Sequence, residues 1–428
     1  MARFPRPFRL LAAALAASQI GDWLYNVALA MVVIERTGSA TWIALTTAAR
    51  VLPIVALGPL GGVLADRFDR RRLMIASDAV RAAVMVALWI VAVAALPIAL
   101  APLLAALATA AGSAYPPAVA ASTPRLVPDA ELPAANALRS AIGAGGVVAG
   151  PAAGALLVAL ASPAAAFLAN AGTFLLSAVL VASLRPGPAF APGQSRPSVL
   201  ADLRAGAAAL RGAPPVLVAL GADVAVSAVY GAQTVLLVVL GRELGGRGGY
   251  GLLIAAIGAG GLAGAALGGR AAARRSGDVL PGALLAVAAS IALLGLSPSL
   301  PVAMALAAAG GTGSVMVEVL SETRMQRLLD EAVFARAYGL ALPTALAGIV
   351  LGALVAAPLA ALLGPAGALA ALGAAVAVYA GLVALNSSWM RLGPNGHSRS
   401  ARAQIRKAAT PAARIASENT IGVWPEEA

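Results

Sequence analysis

A carboxylate inside a long apolar run is costly to ionise in hydrocarbon, and where one persists it commonly serves to take up and release charge. Three stand out in this chain: Asp22 in the run from about 10 to 34, Asp223 in the run 214–240, and Glu318 in the run 300–322. Arg50, in the run 42–65, reads as the only cation at depth. Apolar surroundings favour a neutral acid and a nearby cation favours the carboxylate, so the chemistry on offer is proton exchange. Each residue also has a plain structural reading. Asp223 is hydrated near a helix end, Glu318 and Glu322 cluster with Arg324 or Arg327, and Arg50 pairs with an acid or with backbone carbonyls.

Other chemistry is poorly provided for. With no cysteine, disulfides and thiol-bound metals are excluded. The single histidine, His397, lies in the polar C-terminal stretch, so no histidine cluster relays protons or binds metal. No glycine-rich loop ends in a phosphate-holding lysine, which argues against ATP as the energy source. We expect no enzyme, no cofactor and no metal.

The elements that position these charges are membrane spans. The chain is 60% hydrophobic and 11% charged, far from a soluble domain, and its mean hydropathy is +0.88. Besides the runs 10–34 and 42–65, apolar stretches cover 73–96, 98–121, 138–161 and 164–184. After a break they resume at 214–240, 248–269, 279–297, 300–322, 337–361 and 365–386, each near the ~20 residues that cross a bilayer. Arg3, Arg6 and Arg9 before the first run resemble a signal peptide, but the run continues to Ile34 and reads as a retained helix. The expectation is an all-α polytopic membrane protein with twelve transmembrane helices in two pseudo-symmetric six-helix bundles, 1–184 and 212–386. Between them, 185–211 reads as a cytoplasmic linker from Pro186 to Pro197 and an amphipathic helix from Ser198 to Arg211. The stretch 387–428 reads as a disordered basic tail.

A net charge of +12 invites a nucleic-acid reading. Position argues against it, because the basic residues gather in alternate loops, as the positive-inside rule requires. The loops of the other set carry only Arg36, Arg242 and Arg247. Both termini are therefore expected in the cytoplasm, with a lipid bilayer and no nucleic acid as partner.

The tightest such loop is Gly62-Val63-Leu64-Ala65-Asp66-Arg67-Phe68-Asp69-Arg70-Arg71-Arg72. The two halves of the chain echo each other around it. Leu64-Ala65-Asp66-Arg67 with Arg71-Arg72 returns, weakened, as Leu267-Gly268-Gly269-Arg270 with Arg274-Arg275, 203 residues on. Arg125-Leu126-Val127-Pro128-Asp129 returns as Arg327-Leu328-Leu329-Asp330, 202 residues on. An internal repeat of this kind marks transporters built from two related halves.

The pattern of Gly62, Asp66, Arg67, Arg70 and Arg71 resembles the loop between helices 2 and 3 of major facilitator superfamily transporters, with Asp69 in place of the usual glycine. That departure is similar to the exporter branch holding the enterobactin and macrolide efflux proteins. So are Gly21-Asp22-Trp23, Thr37-Gly38-Ser39, and the stretch from Thr323-Arg324-Met325-Gln326-Arg327 to Tyr338-Gly339. Gly146, Gly150, Pro151 and Gly154 resemble the helix-5 signature of superfamily exporters, with Ala155 replacing its last glycine. Spaced four apart, these glycines also allow simple close packing, as do Gly260, Gly264 and Gly268.

The resemblance implies that spans 1, 4, 7 and 10 line a central cavity, so that Asp22, Asp223 and Glu318 face the pathway. It further implies that Asp66 latches the cytoplasmic side against the start of span 11, aided by the helix dipole, while Arg70 holds a second acid such as Asp78. The function it implies is secondary active export by proton antiport of a small organic molecule (a drug, siderophore or other secreted metabolite) by a monomer in the bacterial inner membrane. A lipid or lysophospholipid flippase, or a non-transporting protein that keeps the fold, are the alternatives.

Overall fold

A computed structural model describes residues 4–192, 210, 213–274, 279–329 and 331–385, apart from the side chains of 59, 133, 272–274 and 331–342. The described part of the linker ends at 192, and the expected amphipathic helix (but for residue 210) and the tail after 386 lie outside the described residues.

Helices make up almost all of it: α1 (Arg6–Thr37), α2 (Ala40–Arg67), α3 (Arg70–Val93), α4 (Leu100–Gly112), α5 (Tyr115–Ser122), α6 (Leu132–Leu160), α7 (Pro163–Ala182), α8 (Pro214–Arg274), α9 (Leu280–Leu294), α10 (Leu300–Leu328) and α11 (Glu331–Leu385). Local sequence sets their ends. Gly38, at φ +60°, closes α1 in the left-handed conformation that glycine accepts without strain. The Asp69 carboxylate accepts the Arg72 backbone N–H at 2.8 Å and caps α3. Ser162 caps α7 through the Ala165 N–H at 3.1 Å.

Among the described residues, nine helices are long and apolar enough to cross a membrane. Two of them hold more than one crossing. With 61 residues, α8 would run about 90 Å if straight, against a hydrocarbon core of about 30 Å. It folds back at Gly245 and Gly246, the latter at φ +59°. Likewise α11 breaks at Gly364, φ +72°, just before Pro365. Each of the twelve expected spans thus falls on helix. The fourth differs in detail: it is interrupted at Ser113-Ala114, ahead of Pro116 and Pro117, and continues as α5.

Large apolar side chains point outward, among them Leu160, Val179, Leu362 and Leu385, where lipid rather than water is their solvent. Inside, small residues bring helices together. A Cβ on Gly260 would sit 1.9 Å from the Ala308 carbonyl oxygen, and one on Gly264 2.3 Å from that of Thr312. That glycine face of α8 is therefore a seam against α10. Helix α1 packs on α6 and α7, α3 on α7, and α8 on α10 and α11; the main crossings between 6–182 and 214–385 are α6 with α8 and α2 with α11.

Candidate functional site

Two cavities lie side by side at the centre. The first, about 860 Å³, is bounded by α1, α2, α3, α4, α5 and α6, and Asp22, Arg50, Arg81 and Arg139 all line it. Asp22 on α1 and Asp78 on α3 share one guanidinium. Arg81 reaches Asp22 Oδ2 at 3.2 Å and also donates to Asp78 Oδ1. Asp78 is fully buried and accepts a second hydrogen bond from Ser177 Oγ on α7, which in turn pairs with the Tyr115 hydroxyl at 3.0 Å. The Arg81 guanidinium lies over the Phe174 ring at 4.2 Å and the Tyr115 ring at 5.1 Å. Such a stacked, forked contact suits arginine's planar cation. The network thus holds two acids and one base, with Asp22 at the cavity edge and Asp78 sealed behind it.

The second cavity, about 430 Å³, lies between α8, α10 and α11. Asp223, Glu318 and Glu322 line it, and its lining contains no basic residue. Tyr230, Leu346 and Ile349 border both cavities. Glu318 is exposed to the cleft, whereas Ser321 beside it is buried, its hydroxyl without a hydrogen-bond partner.

Both cavities lie towards the end of the molecule that carries the arginine-rich 67–72 turn: Gly58, Val119 and Arg139 border one, and Ala265, Glu322 and Met325 the other. The opposite end is shut. There Arg247 donates to Glu35 at 2.9 Å, joining the α8 bend to α1, and the Thr47 and Thr234 hydroxyls meet at 3.4 Å. On α6 the signature glycines face α1, where a Cβ on Gly150 would sit 2.3 Å from Trp23 Cβ and one on Gly154 2.8 Å from the Leu24 carbonyl oxygen. Pro151 and Ala155 face α8 instead. Ala155 stands where the exporter signature has its last glycine, and Gly251 lies opposite, its Cβ position only 2.6 Å from the Ala155 Cβ. The missing hydrogen side chain has moved to the other helix.

A family described as transmembrane secretion effector, of the major facilitator superfamily, matches residues 5–411. The chain belongs to that family. An uncharacterized major facilitator-type transporter, YfiS of Bacillus subtilis, is 32% identical over 178 residues, 40% of each chain. Macrolide efflux protein A of Streptococcus pyogenes is 34% identical over 118 residues, 27% of this chain and 29% of that one. The matched stretches thus span less than half the length of these relatives. Solved structures agree in fold. A bacterial homologue of the human lysosomal transporter Spinster, inward-facing and unoccupied, has a TM-score of 0.69 at 15% identity, covering 94% of this chain and 98% of that one. The nucleoside transporter NupG also has a TM-score of 0.69, at 12% identity, covering 91% and 100%. The chain is therefore a multi-pass membrane protein of the major facilitator superfamily, a family of transporters and not of enzymes.

Two expectations for this family member need correction. Arg50 is not the only cation at depth: Arg81 sits in the third span, 5% exposed, and is the residue that gathers the carboxylates. Nor does Arg70 hold Asp78. Arg70 turns back to the Ala65 carbonyl at 3.0 Å and to Asp66 at 3.7 Å, and Asp78 belongs to Arg81. In the same turn Arg71 donates to the Ala182 carbonyl at the end of α7. The start of α11, where the Asp66 latch was expected to land, lies outside the described side chains. Sequence reasoning passed over Arg81 and gave Asp78 to Arg70, because both follow the Arg70–Arg72 run closely. Their i, i+3 spacing on one face of an apolar span was the available signal.

Proposed function

We propose that this transporter exports a small organic molecule in exchange for protons, as a monomer in a bacterial inner membrane with both termini in the cytoplasm. With the arginine-rich turns on the cytoplasmic side, the cavities open inward and the Glu35–Arg247 end is the closed outer gate. Alternating access would then rock 1–184 against 212–386 around the cleft where Tyr230 borders both cavities.

One observation carries the proton assignment: Asp22 and Asp78 share the single guanidinium of Arg81 in a low-dielectric site. Burial favours the neutral acid and the cations Arg81 and Arg50 favour the carboxylate, so the group is set to exchange a proton, and Asp22 is the member that reaches the cavity. Arg50 on α2 and Tyr25 on α1 face it within the same cavity. The efflux protein among the relatives supports the outward direction.

The test is flux in proteoliposomes under an imposed pH gradient, with an accumulation assay in a pump-deficient host. Asp22→Asn is expected to abolish gradient-driven flux while the purified protein keeps the wild-type melting profile. Undiminished gradient-driven flux in that variant would refute proton exchange at Asp22.

A further inference from the structure

The cavity between α8, α10 and α11 lies apart from the Arg81 network, and the charged side chains in its described lining are all acids. Its wall is mainly apolar, from Val226, Ile257 and Leu262 round to Ile349, and three carboxylates enter it, Asp223 from α8 with Glu318 and Glu322 from α10. Among the described residues no arginine or lysine lines it. The Ser321 hydroxyl, 3% exposed and without a hydrogen-bond partner, also borders this space. A buried hydroxyl left unpaired is a site waiting for a polar group.

We propose that this cavity binds an organic cation with an apolar body, its charge set between Asp223 and Glu318 and the Tyr230 ring closing the side shared with the other cavity. The proposal rests on the transport reading and gives it a substrate class. A volume of about 430 Å³ suits a drug-sized molecule. Among the described residues neither Asp223 nor Glu318 has a salt-bridge partner, and carboxylates in an apolar wall repel anions and attract a cation more strongly than they would in open water. The ring adds attraction for a cation that is poorly hydrated. A bare metal ion fits less well: among the described residues no group of acids converges closely enough to hold one.

The test uses the purified full-length protein, without any gradient, and equilibrium binding of tetraphenylphosphonium. Neutral triphenylphosphine oxide serves as the charge-free comparison. Wild type is expected to bind the cation and to hold the neutral compound at least about tenfold more weakly, since charge supplies the difference. Asp223→Asn and Glu318→Gln should each weaken cation binding about tenfold and leave the neutral compound unchanged. The comparison of two ligands on wild type needs no variant to fold. No binding of the cation, equal binding of both compounds, or unchanged affinity in both variants would each overturn the assignment. So would loss of binding confined to Asp22→Asn, which would place the charge in the other cavity. None of these results bears on proton-driven flux of another solute, so the transport reading stands or falls separately.

Discussion

In the cavity bounded by α1 and α3, the acids are matched. Arg81 reaches both Asp22 and Asp78, and Ser177, Tyr115 and Phe174 surround the group with hydrogen bonds and ring faces. In the cavity between α8 and α10, the acids Asp223, Glu318 and Glu322 share a wall that, among the described residues, holds no base. Both sit in the same apolar body and meet at Tyr230. The difference is one of design for charge. The first site carries its own counter-ion and, on the proposed function, changes state by a proton; the second, on the inference above, takes its counter-ion from outside. The two cavities thus set a fixed ion network against an open acidic wall.

The contrast can be broken most forcefully at Arg81. Arg81→Met would strand a fully buried Asp78, and loss of one partner of such a pair costs about 3–5 kcal/mol. A large fall in thermal stability in detergent is expected, and a near-wild-type melt would mean that the network does not hold α3 in place. Next comes the α6–α8 contact. Gly251→Ala puts a methyl group against Ala155 and overpacks the closed end by about 1–3 kcal/mol. Spin labels across that end should show it opening, and adding Ala155→Gly should close it again. If the double variant stays open, the small–small pairing is not what seals it. At the rim, Glu35→Gln removes the pair with Arg247, which is 52% exposed, so we expect a shift of about 0–1 kcal/mol towards opening that high salt abolishes. The smallest effect is expected in the second cavity. Glu318→Gln should change stability by no more than about 0.5 kcal/mol, because no fixed partner is lost. A large destabilisation would show that Glu318 is structural and that the two cavities are alike after all.

Much of this was legible in the residues. Apolar runs of bilayer length, arginines in alternate turns and glycines four apart leave little choice of fold, because lipid permits a chain to cross only as helix or closed barrel and continuous apolar runs of about 20 residues suit helix. The depth of Asp22, Asp223 and Glu318 was legible for the same reason. What stayed hidden was pairing. Asp78 reads as a partner of Arg70 and Arg81 is not singled out, and only the packing of α3 on α7, with the Arg81–Asp22 contact to α1, shows that they look inward. The match between Ala155 and Gly251 was equally invisible, since a substitution in one signature is answered on a helix about a hundred residues away. The double-back at Gly245-Gly246 had a visible signal, whereas the interruption at Ser113-Ala114 depended on prolines that a span-length reading smooths over.

The bare acidic wall has a further consequence for the transport cycle. A vacant carrier that swung shut would enclose three uncompensated negative groups away from water, and that trapped charge is expensive. On the proposed antiport, the wall closes only with a proton or another cation beside those acids. A turn made with the acids bare is then disfavoured by electrostatics, which limits slippage.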